Sequence, residues 1–111
     1  MAKNKTATAP ETTETTKKPR WVVCTNTSRG VYYGELREEP VNRGVVRLYN
    51  MRHCFTWKCF QEAKGVWGLA VKGPAPGSQV GPTVPFFTIS SDAQYADCTD
   101  EAVKNWEAAT W

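Results

Sequence analysis

Hydrophobic and polar residues alternate in short runs along most of the chain, a pattern typical of half-buried β-strands. Two such runs, Arg20–Thr25 and Val31–Leu36, flank a polar turn that ends in glycine. A third run, Val45–Tyr49, follows a segment that contains proline and glycine. Strands at about ten-residue spacing with glycine at the turns predict a meander that curls into a small barrel or sandwich.

The same alternation assigns side chains to the two faces of the predicted sheet. Val22 and Cys24 share one face of the first strand, and Val31 and Tyr33 share one face of the second. Gly34 lies inside the second strand, where glycine weakens pairing unless a bend or a close backbone approach needs it. The sequence therefore predicts that this strand is strongly bent.

Later runs extend the sheet to about five or six strands. His53–Trp57 has aromatic residues at every second position and is predicted as a separate half-buried strand. Val66–Val71 and Phe86–Ser90 are further strand candidates. Between them, seven of the 13 residues of Gly73–Pro85 are glycine or proline, which predicts a long loop.

The C-terminal segment, residues 99–109, is predicted to be a helix. Thr99 is a suitable N-cap, and the acidic residues after it favour the positive end of the helix dipole. The apolar residues that follow recur at helical spacing, and Trp106 is the largest of them. We therefore expect Trp106 to anchor the helix on the sheet, which makes the fold mainly β (α+β).

Composition divides the chain into an arm and one domain. Met1–Pro19 is rich in threonine and lysine and has no aliphatic residue larger than alanine after Met1, so we expect it to be disordered. It lacks the apolar stretch of a signal peptide, and no run of about 18 apolar residues would span a membrane. We expect residues 20–111 to form a single β-rich domain of a protein that is neither secreted nor membrane-bound.

Charge is unevenly distributed. Residues 1–20 carry five of the 14 basic and two of the 11 acidic residues, so the rest of the chain is neutral overall. Within that rest, Arg29–Lys72 is predominantly basic and Asp92–Glu107 predominantly acidic. Such an arrangement would allow head-to-tail assembly or contact with a polyanion, and an ordinary solvated surface is the competing explanation.

The sequence supports neither a metal site nor catalysis. The residues that would bind a metal are His53, Cys54, Cys59 and Cys98. They include no C-x2-C pair, and neighbouring residues of a strand such as His53 and Cys54 point to opposite faces. We expect reduced, buried cysteines and no cofactor. With one histidine, no nucleophile motif and no glycine-rich nucleotide loop, we expect a protein that is not an enzyme.

Basic and aromatic residues alternate through the predicted strands, as on small barrels that bind ligands through stacking and charge. A sheet with a core of aromatic residues and arginine on its wet side is the competing interpretation. Two further candidates flank the Gly73–Pro85 loop, which is either a stiff binding loop or a passive connection. The candidate binding residues are Arg29, Tyr32, Arg52, Trp57, Trp67 and Lys72.

Several segments together resemble a family of small uncharacterised tailed-bacteriophage proteins over about residues 20–107. The segments are WVVCT (21–25), RGVYYG (29–34), LYNMRHC (48–54), GVWGLA (65–70) and CTDEAVKNWE (98–107). The resemblance implies a phage protein of the host bacterial cytoplasm or the virion. Gly34-Glu35-Leu36 between two strands is also similar to Sm-like barrels, which implies SH3- or Sm-like curvature. The RNA-contacting residues of Sm proteins are missing from residues 38–44.

These observations lead to a functional expectation. We expect a non-enzymatic phage accessory protein that self-associates or binds a host or virion protein. The alternative is a small nucleic-acid- or nucleotide-binding protein that counteracts a host defence. Salt separates the two, because nucleic-acid affinity falls steeply with salt concentration and an aromatic protein interface hardly responds.

Overall fold

The computed structural model describes residues 19–38, 45–90 and 92–111. It is a mainly β domain with a six-stranded antiparallel sheet and the expected C-terminal helix. The elements are β1 (Arg20–Thr25), β2 (Val31–Leu36), β3 (Val46–Thr56), α1 (Gly68–Val71), β4 (Gln79–Val80), β5 (Val84–Ile89), β6 (Gln94–Asp97) and α2 (Asp100–Ala108). The predicted arm lies outside the described residues apart from Pro19.

The sheet is strongly curled. Its order is β4-β3-β2-β1-β6, and β5 pairs with the other half of the 11-residue strand β3. Strands β5 and β6 thus lie at opposite edges, although only residues 90–93 connect them. Side chains from both edge strands, Phe87 and Tyr95, pack on one cluster in the concavity of the sheet, which we call the interior cluster. Its buried members are Val22, Cys24, Leu36, Val46, Leu48, Met51 and Ile89.

The opposite face of the sheet is covered by the two helices. A second cluster, the helix-side cluster, joins this face to α1 and α2. The predicted division of the first two strands is confirmed, since Val22 and Cys24 are interior and Val31 and Tyr33 are on the helix side. The buried helix-side residues are Val23, Val31, Tyr33, Cys54, Leu69, Ala70, Val80, Ala102 and Trp106.

Gly34 lies where two strands approach closely. A Cβ atom at this position would lie 3.0 Å from the Cβ atom of Leu48 and 3.3 Å from the Cα atom of Met51. The pairing of β2 with β3 also shifts register between Tyr33 and Glu35, as at a β-bulge. Bulges bend a strand and increase its twist, so Gly34 permits the curl that the sequence predicted.

The two predicted strands Val45–Tyr49 and His53–Trp57 are in fact one strand, β3. Asn50, the first of the three residues between them, has a left-handed φ of 54°. This conformation reverses the alternation, so that Leu48 and Met51 both face the interior cluster although they are three positions apart. Asparagine tolerates positive φ better than most residues, and the strand continues through it.

The predicted strand Val66–Val71 is wrong, because this segment contains the short helix α1. Gly65, with φ of 88°, begins a tight turn, and Gly68 N–H donates to its carbonyl at 3.0 Å. A six-residue apolar run does not distinguish a strand from a buried helix by periodicity. The predicted loop Gly73–Pro85 contains β4 and the start of β5, and β6 was not predicted at all.

Candidate functional site

Aromatic side chains on the helix side form a closed stack. The ring centroids of Trp21 and Tyr33 are 5.2 Å apart, and those of Tyr33 and Trp106 are 4.9 Å apart with nearly parallel planes. Trp106 is fully buried, and its Nε1–H donates to the Leu69 carbonyl at 2.9 Å. The Tyr33 hydroxyl donates to Glu107 at 2.8 Å, and burial together with this carboxylate raises the pKa of Tyr33. These rings attach α2 to the sheet.

Arg52, a predicted binding residue, holds the C-terminal end of α2. Its guanidinium donates to the carbonyls of Trp106 at 2.7 Å, Ala109 at 2.8 Å and Gly81 at 2.9 Å. The last carbonyls of a helix have no partner within the helix, and the negative end of the helix dipole attracts a cation. The fold therefore uses the donors that Arg52 would offer to a ligand.

Lys72, another predicted binding residue, is engaged in ion pairs. Its Nζ lies 3.0 Å from Glu101 and 3.6 Å from Glu62. The hydrogen bond to Glu101, followed by the charge of that residue, raises the pKa of Lys72. Trp67, its predicted companion, is 39% exposed and immediately precedes α1.

The other candidates are separated. Arg29 is exposed in the β1–β2 turn with φ of 65°, where its N–H donates to the Asn26 carbonyl at 2.9 Å. Tyr32 is half-buried and stacks on His53, with ring centroids 4.9 Å apart. Trp57, just after β3, is 38% exposed. Within the described ranges, no hydrogen bond, ion pair or ring contact joins any two of the six predicted residues.

Two other aromatic side chains, Phe55 and Trp111, meet at the end of β3, and Trp57 follows Phe55 by two residues in the chain. We call Phe55, Trp57 and Trp111 the aromatic edge; Phe55 is 53% and Trp111 71% exposed. In the described structure the Trp57 ring contacts no other aromatic ring. The Trp111 ring meets the Phe55 ring edge-on with centroids 5.0 Å apart, and His53 lies 4.3 Å from Phe55 on the other side. A chain of rings thus runs from half-buried Tyr32 to exposed Trp111.

Gly81 supports the Phe55 ring. A Cβ atom at Gly81 would lie 2.9 Å from Cε2 of Phe55, so the ring lies directly on the glycine backbone. The Gly81 N–H in turn donates to the His53 carbonyl at 2.9 Å. Phe55 is therefore held in place by a ring on each side and by backbone beneath it.

The aromatic edge combines apolar surface with polar donors. Across residues 19–38, 45–90 and 92–111, no acceptor pairs with the indole N–H of Trp57 or Trp111. The charged residue beside the edge in sequence is Lys58, whose side chain extends towards Gly77. Burial lowers the pKa of His53 and so favours its neutral form. An aromatic surface with indole N–H donors that have no acceptor in the described structure is suited to carbonyl-bearing partners.

Carboxylates of the acidic C-terminal segment have partners in two places. Glu101 and Glu107 lie on α2, where they contact Lys72 and Tyr33. Asp97, at the end of β6, forms an ion pair at 2.9 Å with Arg20, whose guanidinium lies over the ring of Tyr95 beside the interior cluster. The acidic segment seen in the sequence thus contributes charge to the helix side and to the end of β6.

The cysteines are free thiols. Burial raises the pKa of Cys24 and of Cys98 to about 12 and that of Cys54 to about 11. In the described part of the chain, no group of three histidine, cysteine or acidic side chains is arranged to hold a metal ion. Nor does that part contain a helix long and apolar enough to cross a membrane.

The six candidate residues chosen from the sequence include neither Phe55 nor Trp111. For Phe55 a signal existed, because it alternates with Trp57 at the end of an extended run. No sequence signal was available for Trp111. It reaches Phe55 because the chain after α2 returns to β4, where the Val80 N–H donates to the Thr110 carbonyl at 3.1 Å.

A family described as a domain of unknown function, DUF6948, matches residues 19–106. No curated protein and no solved structure matches the chain.

Proposed function

The chain belongs to the DUF6948 family of domains of unknown function, and we propose that it is a non-enzymatic module that binds protein through its aromatic edge. The observation that supports this proposal is the fixed arrangement of exposed rings at Phe55 and Trp111. Rings that already hold one another lose little conformational freedom on binding. Tryptophan is also among the residues most enriched in the energetically dominant positions of interfaces.

The size of the surface fits this proposal. If each side chain has about 150–250 Å² of surface, the exposed fractions of Phe55, Trp57 and Trp111 leave roughly 250–400 Å² of aromatic area in water. Exposed apolar patches of that order often mark interaction sites. A standard protein interface buries about 800 Å² on each partner, so the aromatic edge is large enough to be its central part.

Other exposed aromatic residues lack this organisation. Phe86 is 62% exposed, but its ring contacts are with half-buried Tyr49 and with Arg47. Trp67 has no ring contact in the described structure. Exposed single rings are common on protein surfaces, and Trp67 serves as a control for the aromatic edge.

We propose in addition that the curled sheet is a small barrel of the SH3 or Sm type. The order β5-β3-β2-β1-β6 and the short return from β5 to β6 support it. The resemblance of residues 20–107 to small tailed-bacteriophage proteins supports a place for the protein in a virion or an infected bacterial host. Fold likeness by itself implies no ligand.

The test uses two matched substitutions of exposed aromatic residues, Phe55→Lys on the aromatic edge and Trp67→Lys away from it. The immobilised full chain and both variants are used to capture proteins from a lysate of the bacterial host. Each captured protein is then purified, and its dissociation constant is measured by calorimetry. We expect Phe55→Lys to weaken binding at least about 100-fold, as at a dominant interface residue, and Trp67→Lys to leave it within a factor of about two.

Salt dependence separates the alternative function, because nucleic-acid affinity falls steeply with salt concentration and an aromatic protein interface hardly responds. A purified partner that binds both variants equally would overturn the proposal. Binding of single-stranded nucleic acid that weakens steeply with salt, with no protein captured, would replace it with the nucleic-acid alternative.

A further inference from the structure

Three strands of the curled sheet, β4, β5 and β6, lie at its edges. Two of these edge strands are protected against pairing with another chain. Strand β4 is only two residues long, and the carbonyl of Thr110 already accepts from its Val80 N–H. Strand β6 has four residues and ends at Asp97, which forms an ion pair with Arg20. Short length and charge are the usual means by which proteins block sheet edges.

The third edge strand, β5, lacks that protection. It pairs with β3 on one side, and no strand of residues 19–38, 45–90 and 92–111 pairs with its other side. Its sequence, VPFFTI, is rich in β-forming residues, and residues 73–91 contain no charged side chain. Pro85 lacks an N–H and interrupts the first part of the edge, which leaves Phe86–Ile89 able to pair.

We propose that two copies of this chain associate by antiparallel pairing of their β5 strands around a twofold axis. The pairing supplies each free backbone donor and acceptor of Phe86–Ile89 with a partner. A twofold axis makes the two strands complementary by symmetry, because each strand presents the same surface to the other. The result is one continuous sheet across both subunits.

The side-chain alternation selects the register. Residues directly opposite in an antiparallel pair lie on the same face of the sheet. Phe87 and Ile89 pack towards the interior cluster, whereas Phe86 and Thr88 are exposed. With the axis at Phe87, Phe86 of one copy lies opposite Thr88 of the other, twice by symmetry. Pairs of an aromatic with a β-branched residue are favourable across strands.

The charges near this edge also permit a second copy. Arg47 lies over Phe86 at 5.9 Å and belongs to the neighbouring strand β3. In the proposed dimer the two β3 strands are three strand spacings apart, roughly 14 Å. That distance exceeds the screening length of about 8 Å at physiological salt, so the two arginines repel each other weakly. The uncharged β5 strand itself brings no like charges together.

The test is the mass of the purified full chain in solution, measured by analytical ultracentrifugation over a dilution series. We expect a dimer of the 12.4 kDa chain that dissociates on dilution. Phe86→Lys and Thr88→Lys place a charge in the pairing edge and should each raise the dissociation constant at least about tenfold, since each acts twice in the symmetric pair. Ser28→Lys, which lies in the exposed β1–β2 turn, should leave the constant unchanged. Circular dichroism checks that every variant is folded.

Hydrogen exchange provides the second measurement. In the dimer the outward amides among Phe86–Ile89 gain partners, so we expect their exchange to slow as the protein concentration rises. A chain that stays monomeric throughout the series overturns the inference. So does a dimer that Phe55→Lys disrupts and Phe86→Lys does not, or a dimer without protection at Phe86–Ile89. None of these results decides whether the aromatic edge binds protein, because that proposal is tested with purified partners.

Discussion

Two aromatic groups of similar chemistry occupy opposite situations in this domain. On the helix side, Trp106 is fully buried in a stack with Tyr33, and its indole N–H has an acceptor. On the aromatic edge, Trp111 is 71% exposed, and its indole N–H has no acceptor in the described structure. An indole N–H that has an acceptor marks a tryptophan that builds the fold, and an indole N–H without one marks a tryptophan that is available to a partner.

The largest expected difference is in the free energy of unfolding after each of these two tryptophans is replaced. We expect Trp106→Ala to lower the free energy of unfolding by about 3–5 kcal/mol, because it leaves a large cavity beneath α2. The matched change Trp111→Ala should cost no more than about 0.5 kcal/mol, as at other exposed sites. Urea denaturation of both variants measures the difference, and equal losses would contradict the assignment of Trp111 to a free surface.

The next effect concerns two arginines. Arg52→Met should lower the free energy of unfolding by about 2–3 kcal/mol, since carbonyls at the end of α2 lose a charged donor. Arg47→Met removes only an exposed contact with the Phe86 ring and should cost less than about 1 kcal/mol. Thermal unfolding compares the two. A neutral Arg52→Met would mean that water replaces its donors and that Arg52 is available to a ligand.

Alkaline pH should lower the free energy of unfolding through the cysteine thiols of the helix side. Burial raises the pKa of Cys54 to about 11 and of Cys98 to about 12, from a usual value of 9.0. The protonated thiols stabilise the fold fully below pH 9, and this contribution is lost as pH rises through the folded values. At pH 10 the loss is roughly 1 kcal/mol for each fully buried thiol. The double variant Cys54→Ala/Cys98→Ala should therefore show a flatter dependence of stability on pH between 8 and 10.

Mildly acidic pH should lower the free energy of unfolding by a smaller amount, through His53 beside the aromatic edge. Burial lowers the pKa of His53 below its usual 6.5, and the groups in ring contact with it are Tyr32 and Phe55. The unfolded chain then binds a proton before the folded one does, so stability falls as pH drops through 6.5 to the folded value. His53→Phe should remove this part of the acid dependence, measured as the difference between its unfolding curves and those of the wild type. Identical curves would show that His53 does not titrate differently on folding.

The elements that could be predicted from the sequence are those set by contacts between residues close together in the chain. The bounds of β1 and β2 and the facing of their side chains followed from alternation, because each strand has one face in each core cluster. The α2 N-cap also followed, since the Thr99 hydroxyl accepts from the Ala102 N–H three residues later. Such features depend on residues close together in the chain.

The candidate site was harder to predict. Arg52 has the sequence appearance of a ligand-binding arginine, yet its partners are carbonyls up to 57 residues away. Lys72 likewise finds Glu101 29 residues later in the chain. The partners of a charged side chain depend on the whole fold. Alternation along the chain therefore could not reveal that Arg52 and Lys72 already have partners within the protein.

By itself, the sequence determined a mainly β domain, the first two strands with the faces of their side chains, and a capped C-terminal helix. Alternation, glycine at a crowded position and a capping threonine act over a few residues and are therefore visible in the chain. Only the tertiary structure decided that Val66–Val71 ends as helix α1, because the Leu69 and Ala70 carbonyls accept from Trp106 and Thr99 of the C-terminal segment. It also decided that Phe55 meets Trp111, since that contact requires residues 56 positions apart to be brought together by the complete fold.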